Sequence, residues 1–454
     1  MQTNNQQNTS PNSVTVGVFI YLQKIQKSST PWIAFVLLSL MSFAENPKEG
    51  IRPTFLVIIP DFECSGLVDP AIVRSEPAIL WGGTANLGAK EIFARLHLPN
   101  LLLPREPDLP SIITPWLPLT KALTRPQVVF PSFIPYQKGK DLFVFQYDWR
   151  RNIGTELTLQ LQIALDDFAD QHSVAMGKPN SPTSMVIIAH GMGGLLIRSL
   201  IGQNPRIAEK IEQLYLVGVP HLGTPEALAR LISGVGFYTR ETALISQETR
   251  ALSRLSSISF PSLYQMLPLG ELHWVKNYSK TPSRRVAADD LLKTGEWEET
   301  WPAALEEKKY YLDPWLKSLM NGYQEPIDRK NWEFCQDPSL LSLQSLLAQV
   351  RDWRISLGTL GYTRQLMTRP GEKPRLLIVA GKGVKTPFGY QSEGEGLQTQ
   401  ITPLYAPDID GDGVVTLESA LESNPPELTL LLKGTTHEKL LEDPLFLKEI
   451  LSKK

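Results

Sequence analysis

A buried strand that runs straight into a glycine-rich turn and then into a helix most constrains how this chain can fold. The segment is Met185–Arg198, with the sequence MVIIAHGMGGLLIR. Its first residues are continuously apolar, as in a strand covered on both faces, and the residues after the turn continue as a helix. Ala189 and Gly193 are small enough for a tight bend. The segment therefore predicts an α/β fold with a turn at the carboxyl end of a strand.

Five further apolar runs predict strands of the same sheet. With Met185–Ala189 they are Phe55–Ile59, Leu142–Tyr147, Leu214–Val219, Leu376–Ala380 and Leu428–Leu432. Helical patterns cover Thr155–Ala169 and Gly193–Ile201. Since strand and helix alternate, we predict a mainly parallel central sheet with helices on both faces.

The spacing of these runs predicts a core built from two parts of the chain. Residues 51–224 form its first part and residues 371–454 its second, and residues 225–370 form an inserted, mostly helical cap. Within the first part, residues 99–135 contain nine prolines, which predict a loop with little regular structure. This loop either covers a lipid site or packs on the core as a surface excursion.

Residues 1–50 are predicted to be an N-terminal tail with one apolar run at residues 31–44. The run is short for a bilayer span, and Lys24 and Lys27 precede it. A cleaved export signal, a membrane anchor and a buried helix all remain open, so the compartment is not assigned.

Composition excludes two classes of protein. The chain has 454 residues, with Lys+Arg 45 against Asp+Glu 47, a formal net charge of -2. No basic surface for nucleic acid is therefore predicted. Its two cysteines, Cys64 and Cys335, cannot form a disulfide scaffold. They are either two buried thiols or, in an exported protein, one bridge.

The glycine-rich turn corresponds to the nucleophile elbow of α/β-hydrolases, G-x-S-x-G, in which alanine often replaces the first glycine. Ala189 and Gly193 occupy the flanking positions, but the centre is Gly191 where serine is expected. Glycine accepts strained turn conformations without a Cβ clash, so the bend is kept while the attacking oxygen is lost. The alternatives are an ordinary glycine turn and a phosphate-cradling loop, although the glycine spacing does not match a dinucleotide fingerprint.

A hydrolase triad runs in the chain order nucleophile, acid, histidine. Asp412 follows the predicted strand Leu376–Ala380, and His437 follows Leu428–Leu432. We predict Asp412 as the acid and His437 as the general base. Asp408, Asp410 and Asp412 also resemble the start of a calcium loop, but its twelfth position is Ser419 instead of glutamate. Calcium is therefore a minor alternative, and no metal or other cofactor is predicted.

Five motifs in order resemble those of the lecithin:cholesterol acyltransferase family. They are Tyr147–Arg150 (YDWR), Ala189–Gly194 (AHGMGG), Gly218–Pro225 (GVPHLGTP), Phe260–Pro268 (FPSLYQMLP) and Gly411–Ala420 (GDGVVTLESA). The resemblance implies an α/β-hydrolase fold. It also implies an acyl group taken from a glycerolipid or another acyl ester onto serine and passed to an alcohol or to water, at a membrane or lipid surface.

The resemblance also implies roles for individual residues. The oxyanion donors would be the backbone N–H groups of Met192 and Phe62, and Asp148 and Arg150 would be a structural ion pair. The family usually has Pro-Gly where this chain has Pro60 and Asp61, so Asp61 is a second departure.

Because Gly191 cannot attack an ester, three hypotheses remain open. The chain is a pseudoenzyme that binds lipid or acyl chains, an active parent that carries a Ser→Gly change, or a residual hydrolase in which His437 activates water directly.

Overall fold

The structure is a computed structural model that describes residues 54–70, 79–81, 89–96, 100–107, 115–124, 135–234, 250, 253, 256–257, 259–268, 271–276, 284–287, 343–393, 400–407 and 409–451. All of them lie in one unit, Pro53–Lys454. Over these ranges, no helix has the length and apolarity needed to cross a bilayer. The predicted tail 1–50, with its apolar run 31–44, and Cys335 fall outside the described residues, and Cys64 is a buried thiol.

Strands account for all six of the predicted apolar runs and for several segments that were not predicted. In the described part of the chain they are β1 (Thr54–Ile59), β2 (Gly66–Val68), β3 (Ile79–Trp81), β4 (Leu103–Arg105), β5 (Leu142–Val144), β6 (Ser184–His190), β7 (Ile211–Val217), β8 (Glu271–Lys276), β9 (Arg284–Ala287), β10 (Leu376–Lys382), β11 (Gly389–Glu393), β12 (Gln400–Leu404) and β13 (Thr429–Lys433).

Helices lie between most of these strands. Those described are α1 (Ala89–Leu96), α2 (Trp116–Thr124), α3 (Thr158–Ala175), α4 (Met192–Gln203), α5 (Ile207–Lys210), α6 (Pro225–Ser233), α7 (Pro261–Gln265), α8 (Leu343–Leu357), α9 (Leu360–Leu366), α10 (Leu417–Leu421) and α11 (Pro444–Leu451). A π-helical turn, Ile153–Leu157, precedes α3, and 3-10 turns cover Pro426–Leu428 and His437–Glu442.

The central sheet is six-stranded and parallel, in the order β13-β10-β7-β6-β1-β5. Its strands are the six predicted runs, which confirms the predicted α/β-hydrolase fold class. Two predicted strand ends were too long. The run Leu214–Val219 leaves the sheet after Val217, where Gly218 turns the backbone at a φ of 57°, and β5 ends at Val144.

Both faces of this sheet are buried, which explains why its strands are continuously apolar. Phe55, Val57 and Ile59 of β1 point into a core that contains α3 and α4. Leu56 and Ile58, which alternate with them, point into a second core that contains α2 and α11. Helices therefore cover both faces, as predicted.

The proline-rich segment has more regular structure than predicted. It contributes β4 and the nine-residue helix α2, in which Pro118 is the third residue. In the first turn of a helix the backbone N–H groups have no partner within the helix, so proline costs little there. Trp116, Leu119 and Leu123 then bury one side of α2 against the sheet.

The segment predicted as a mostly helical cap contributes helices α6 to α9 and two strands that were not predicted, β8 and β9. These strands join β11 and β12, which lie outside the predicted cap, in a four-stranded sheet of order β12-β11-β8-β9. This sheet therefore has strands from both sides of the predicted boundary at residue 370, and the boundary itself stays a prediction.

Candidate active site

The elbow lies where β6 ends and α4 begins. Gly191 has φ 50° and ψ -122°, a backbone conformation that residues with a Cβ adopt only under strain. Its N–H donates to the carbonyl of Val217 on the neighbouring strand at 3.0 Å. Gly193 packs so closely that a Cβ there would lie 2.5 Å from the carbonyl oxygen of Ile59. The two glycines therefore allow the sharp bend and the close approach of α4 to β1.

Asp412 and His437 meet beside this elbow. Nδ1 of His437 is 2.7 Å from Oδ2 of Asp412. The other carboxylate oxygen of Asp412 accepts hydrogen bonds from the N–H groups of Val414 at 2.9 Å and Val415 at 2.7 Å. A Cβ on Gly218, next to the elbow, would lie 2.9 Å from the His437 ring. The structure thus brings the three predicted positions 191, 412 and 437 together at the carboxyl edge of the parallel sheet.

The carboxylate of Asp61 occupies the space of the missing serine side chain. A Cβ built on Gly191 would lie 1.9 Å from Oδ1 and 2.0 Å from Cγ of Asp61. Real Cβ atoms do not approach other atoms so closely, and both backbone and carboxylate are buried. Asp61 as placed therefore excludes a serine at 191, so the two departures from the family pattern are sterically linked.

Asp61 also makes the hydrogen bonds expected of a nucleophile or oxyanion at this position. Its Oδ1 accepts from the backbone N–H of Met192 at 2.5 Å, and its Oδ2 is 3.0 Å from Nε2 of His437. His437 consequently lies between two carboxylates. Met192, the predicted oxyanion donor, is therefore at the site, where its backbone N–H donates to the side chain of Asp61.

The loop that carries Asp61 is held by aromatic donors. The Tyr147 hydroxyl donates to the carbonyl of Pro60 at 2.6 Å. The indole N–H groups of three tryptophans donate to backbone carbonyls further along the loop: Trp81 to Glu63, Trp116 to Cys64 and Trp149 to Ser65. Four ring donors from three segments of the chain, namely β3, α2 and the loop after β5, therefore hold residues 60–65 and position the Asp61 carboxylate.

The charges at the site reinforce one another. Burial alone would lower the pKa of His437, but the charge and hydrogen bond of Asp412, together with those of Asp61, raise this pKa to about 10. Burial would raise the pKa of Asp61, but the hydrogen bond and charge of His437 outweigh it and hold that pKa below its ordinary value. At neutral pH the site therefore contains an imidazolium bonded to ionised Asp61.

His190, the residue before Gly191, stacks on His437 with ring centroids 4.6 Å apart. Its Nε2 lies 3.1 Å from the backbone carbonyl of His437. Burial, reinforced by the charge on His437, lowers the pKa of His190 to about 4. His190 is therefore neutral at neutral pH and supports the His437 ring from one side.

Among the described residues, Asp61, His190 and His437 form a group in which one possible metal-ligand atom from each lies within 4.8 Å of the others. Both ring nitrogens of His437 are already hydrogen-bonded to carboxylates. A cation would have to displace the proton shared by Asp61 and His437. The hydrogen bonds account for this arrangement without an ion.

The calcium alternative involves three aspartates, of which Asp408 lies outside the described residues. Asp410 accepts hydrogen bonds from the N–H groups of Gly383 and Gly411 through Oδ1. The oxygens of Asp412 face Val414, Val415 and His437. These two carboxylates therefore order the loop and position His437. Phe62, the second predicted oxyanion residue, follows Asp61 and packs its ring against Trp149 at 4.8 Å; its donor role stays a prediction.

We expect the stability of the fold to depend on the proton on His437. Because folding raises the pKa of His437 above its ordinary value of 6.5 to about 10, the bound proton stabilises the folded chain. This contribution is complete below the unfolded pKa and is lost as pH rises towards the folded one. Urea unfolding near neutrality and at about pH 9.5 should show the gap in stability between the unaltered chain and His437→Gln shrinking as pH rises. A gap independent of pH would contradict the imidazolium.

Sequence reasoning missed the role of the Asp61 side chain. It marked Asp61 as a departure from Pro-Gly and Gly191 as a departure from serine, but treated them as separate changes. The available signal was the pair of departures taken together. A carboxyl group is gained at Asp61 and a hydroxyl group is lost at Gly191, and both residues lie in segments that border the oxyanion position.

Comparisons with known proteins identify the family of this chain. The family model for lecithin:cholesterol acyltransferase matches residues 132–361, just over half of the chain. "Lecithin-cholesterol acyltransferase-like 4" of Arabidopsis thaliana is 23% identical over 68% of this chain and 54% of its own length. GPI inositol-deacylase A of Yarrowia lipolytica is 29% identical over 23% of this chain and 10% of its own length. The chain thus spans about half of the first relative and a small part of the second.

Among solved structures, a chain of the Tle4-Tli4 complex superposes with a TM-score of 0.52 and 12% identity, over 88% of this chain and 98% of that one. At this identity the likeness shows the fold alone. The family model shows a family relationship, which a shared fold alone cannot show, because it matches the elbow and the motifs on either side of it. The chain belongs to the lecithin:cholesterol acyltransferase family.

Proposed function

We propose that this chain binds a glycerolipid or another acyl ester, and that it does not transfer the acyl group by the family's serine mechanism. Membership of an acyltransferase and lipase family that acts on lipid esters supports the ligand class. One observation carries the rest: the Asp61 carboxylate lies where the side chain of serine would lie.

The site keeps one half of the family's chemistry. Asp412 is bonded to His437 in the arrangement that orients a general base. The other half is absent, because Gly191 has no nucleophilic atom and covalent acyl transfer needs one. His437 also carries a proton near neutrality, so direct activation of water by His437 is disfavoured while Asp61 is ionised. Of the three hypotheses from the sequence, the geometry favours the first: a pseudoenzyme that binds lipid and does not catalyse acyl transfer.

The Asp61 side chain also argues against a chance Ser→Gly change. A chain that had lost only its serine would retain the space for it. Here another side chain fills that space, bonds to the oxyanion donor Met192 and pairs with His437. This arrangement supports a site adapted around the loss.

Two measurements test the proposal. With p-nitrophenyl esters, we expect no initial burst, and steady turnover no greater than that of His437→Ala. Mass spectrometry of the purified chain should detect bound lipid that survives gel filtration. A burst stoichiometric with protein would reveal a covalent acyl intermediate and contradict the loss of acyl transfer. Absence of bound lipid, together with no binding of phospholipid vesicles or monomeric acyl esters, would contradict the ligand class.

A further inference from the structure

Two hydrogen-bond donors converge on the side chain of Asp61 at the elbow. The backbone N–H of Met192 donates to Oδ1 at 2.5 Å, and Nε2 of His437 lies 3.0 Å from Oδ2. Each donor therefore serves one oxygen of a single carboxylate, and the His437 donor carries a positive charge near neutral pH. Hydrogen bonds from a charged donor to a carboxylate are roughly twice as strong as those between neutral groups. The elbow thus has the donors of a carboxylate-binding site.

The Asp61 side chain fills this site without supporting the loop that carries it. The loop is held through backbone carbonyls of residues 60–65, which accept hydrogen bonds from the rings of Trp81, Trp116, Tyr147 and Trp149. None of these four bonds uses the Asp61 carboxylate, so we expect the loop to keep them when the carboxylate is removed. The side chain of aspartate has the size and the charge of acetate. Its removal therefore leaves a space that matches acetate, with both donors in place.

We propose that the elbow is a binding site for a small carboxylate anion, and that Asp61 is a tethered occupant that closes this site to external carboxylates. A tethered group competes with a free ligand through its effective concentration, which is high when the tether already holds the group in the bound position. The loop holds Asp61 in that position, and Asp61, Met192 and His437 are all buried. External acetate should therefore not displace the side chain. This inference does not depend on which lipid ester the chain binds.

His437 requires that the occupant be an anion. Nδ1 of His437 lies 2.7 Å from Oδ2 of Asp412, so a neutral ring keeps its one proton there and presents a lone pair at Nε2. A carboxylate facing Nε2 needs a second proton on the ring. Asp61 contributes, after Asp412, to the raised pKa of His437. Removal of Asp61 should therefore lower this pKa, and bound acetate should raise it again.

Asp61→Gly gives acetate both room and entry. Glycine at this position restores the Pro-Gly pattern of the family, so we expect the loop backbone to accept it. Buried cavities made by truncating a side chain take up ligands of matching size. Local opening of the native fold admits such ligands.

The first experiment compares urea unfolding of Asp61→Gly at neutral pH in sodium acetate and in sodium chloride of equal ionic strength. A ligand that binds only the folded chain stabilises it, so acetate at about 100 times its Kd should raise the ratio of folded to unfolded chain about 100-fold. Acetamide, which is similar in shape but uncharged, should have no effect. The unaltered chain and Asp61→Asn, whose amide group fills the space, should not respond to acetate.

Two results of this experiment would overturn the proposal. One is the absence of an acetate effect on Asp61→Gly beyond that of chloride. The other is an equal acetate effect on the unaltered chain or on Asp61→Asn. If Asp61→Gly does not fold in chloride, its refolding yield in acetate answers the same question, and equal yields in the two salts would count against the site.

The second experiment locates the bound anion. NMR of isotope-labelled histidine side chains should show that acetate raises the pKa of His437 in Asp61→Gly and leaves it unchanged in Asp61→Asn. Asp61→Gly/His437→Gln should lose the acetate effect on stability. A pKa of His437 that ignores acetate, or an acetate effect that survives in the double variant, would place the anion elsewhere and overturn the proposal.

These tests are separate from the test of lipid-ester binding, because acetate has no acyl chain with which to occupy a lipid site. Loss of the acetate effect with bound lipid still present would overturn this inference alone. An acetate effect in a chain that binds no lipid ester would contradict only the proposed function.

Discussion

Replacing Gly191 by serine alone should not create a serine esterase, whereas Asp61→Gly/Gly191→Ser should. In the single variant, the new Cβ would lie 1.9 Å from Oδ1 of Asp61, so either the elbow or the carboxylate must move. In the double variant, the carboxylate is gone, the N–H of Met192 is available to an oxyanion and the Pro-Gly pattern of the family is restored. We expect turnover of p-nitrophenyl esters to rise by about 10²- to 10⁴-fold over the unaltered chain.

The matched control is Asp61→Gly/Gly191→Ala, which relieves the same clash but supplies no hydroxyl group. It should show no burst, while the serine double variant should show one burst equivalent per active molecule. Asp61→Gly alone should also stay inactive. The two sites should be strongly non-additive in both activity and stability, since their side chains would compete for the same space. A burst from Gly191→Ser alone would contradict the steric link between the two positions.

Asp148→Ala should destabilise the fold by about 3–5 kcal/mol, the cost typical of leaving a buried charge without its partner. Both oxygens of Asp148 bond to the Arg150 guanidinium, at 2.8 Å and 2.7 Å. Arg150 is fully buried and also donates to the carbonyls of Leu96 and Asn100. This pair follows the short strand β5 and lies next to Tyr147 and Trp149, which hold the Asp61 loop.

Asp166→Ala is the control for that measurement. Asp166 makes an exposed ion pair with Lys210 at 3.3 Å, and exposed pairs of this kind contribute about 0–1 kcal/mol. Chemical denaturation of both variants should therefore separate the buried pair from the exposed one. Equal effects from the two substitutions would show that the Asp148–Arg150 pair has no special structural role.

The central sheet could be predicted because each of its strands is buried on both faces. That burial makes a strand apolar at every position, a signal that is local in sequence, and all six runs proved to be strands. The same logic placed Asp412 and His437, since residues that follow parallel strands collect at one edge of the sheet. The structure brings both residues to Gly191, and their chemical roles remain predictions.

Local signals were weaker elsewhere. Pro118 lies in the first turn of helix α2, where a proline costs little stability. The number of prolines around it nevertheless suggested a loop. Strands β8 and β9 lie far along the chain from β11 and β12, and pairing across such a distance leaves little trace in the sequence of either segment.

The sequence by itself determined the class of fold, the place of the elbow, the loss of serine at 191 and the residues that follow the late strands, because each depends on local patterns of burial and chain order. Only the tertiary structure decided what replaces the serine. Asp61 and Gly191 are distant in sequence, and nothing local shows that one fills the space vacated by the other. Close packing of β1 against the elbow brings the carboxylate to that space, where it adds to the effect of Asp412 in raising the pKa of His437.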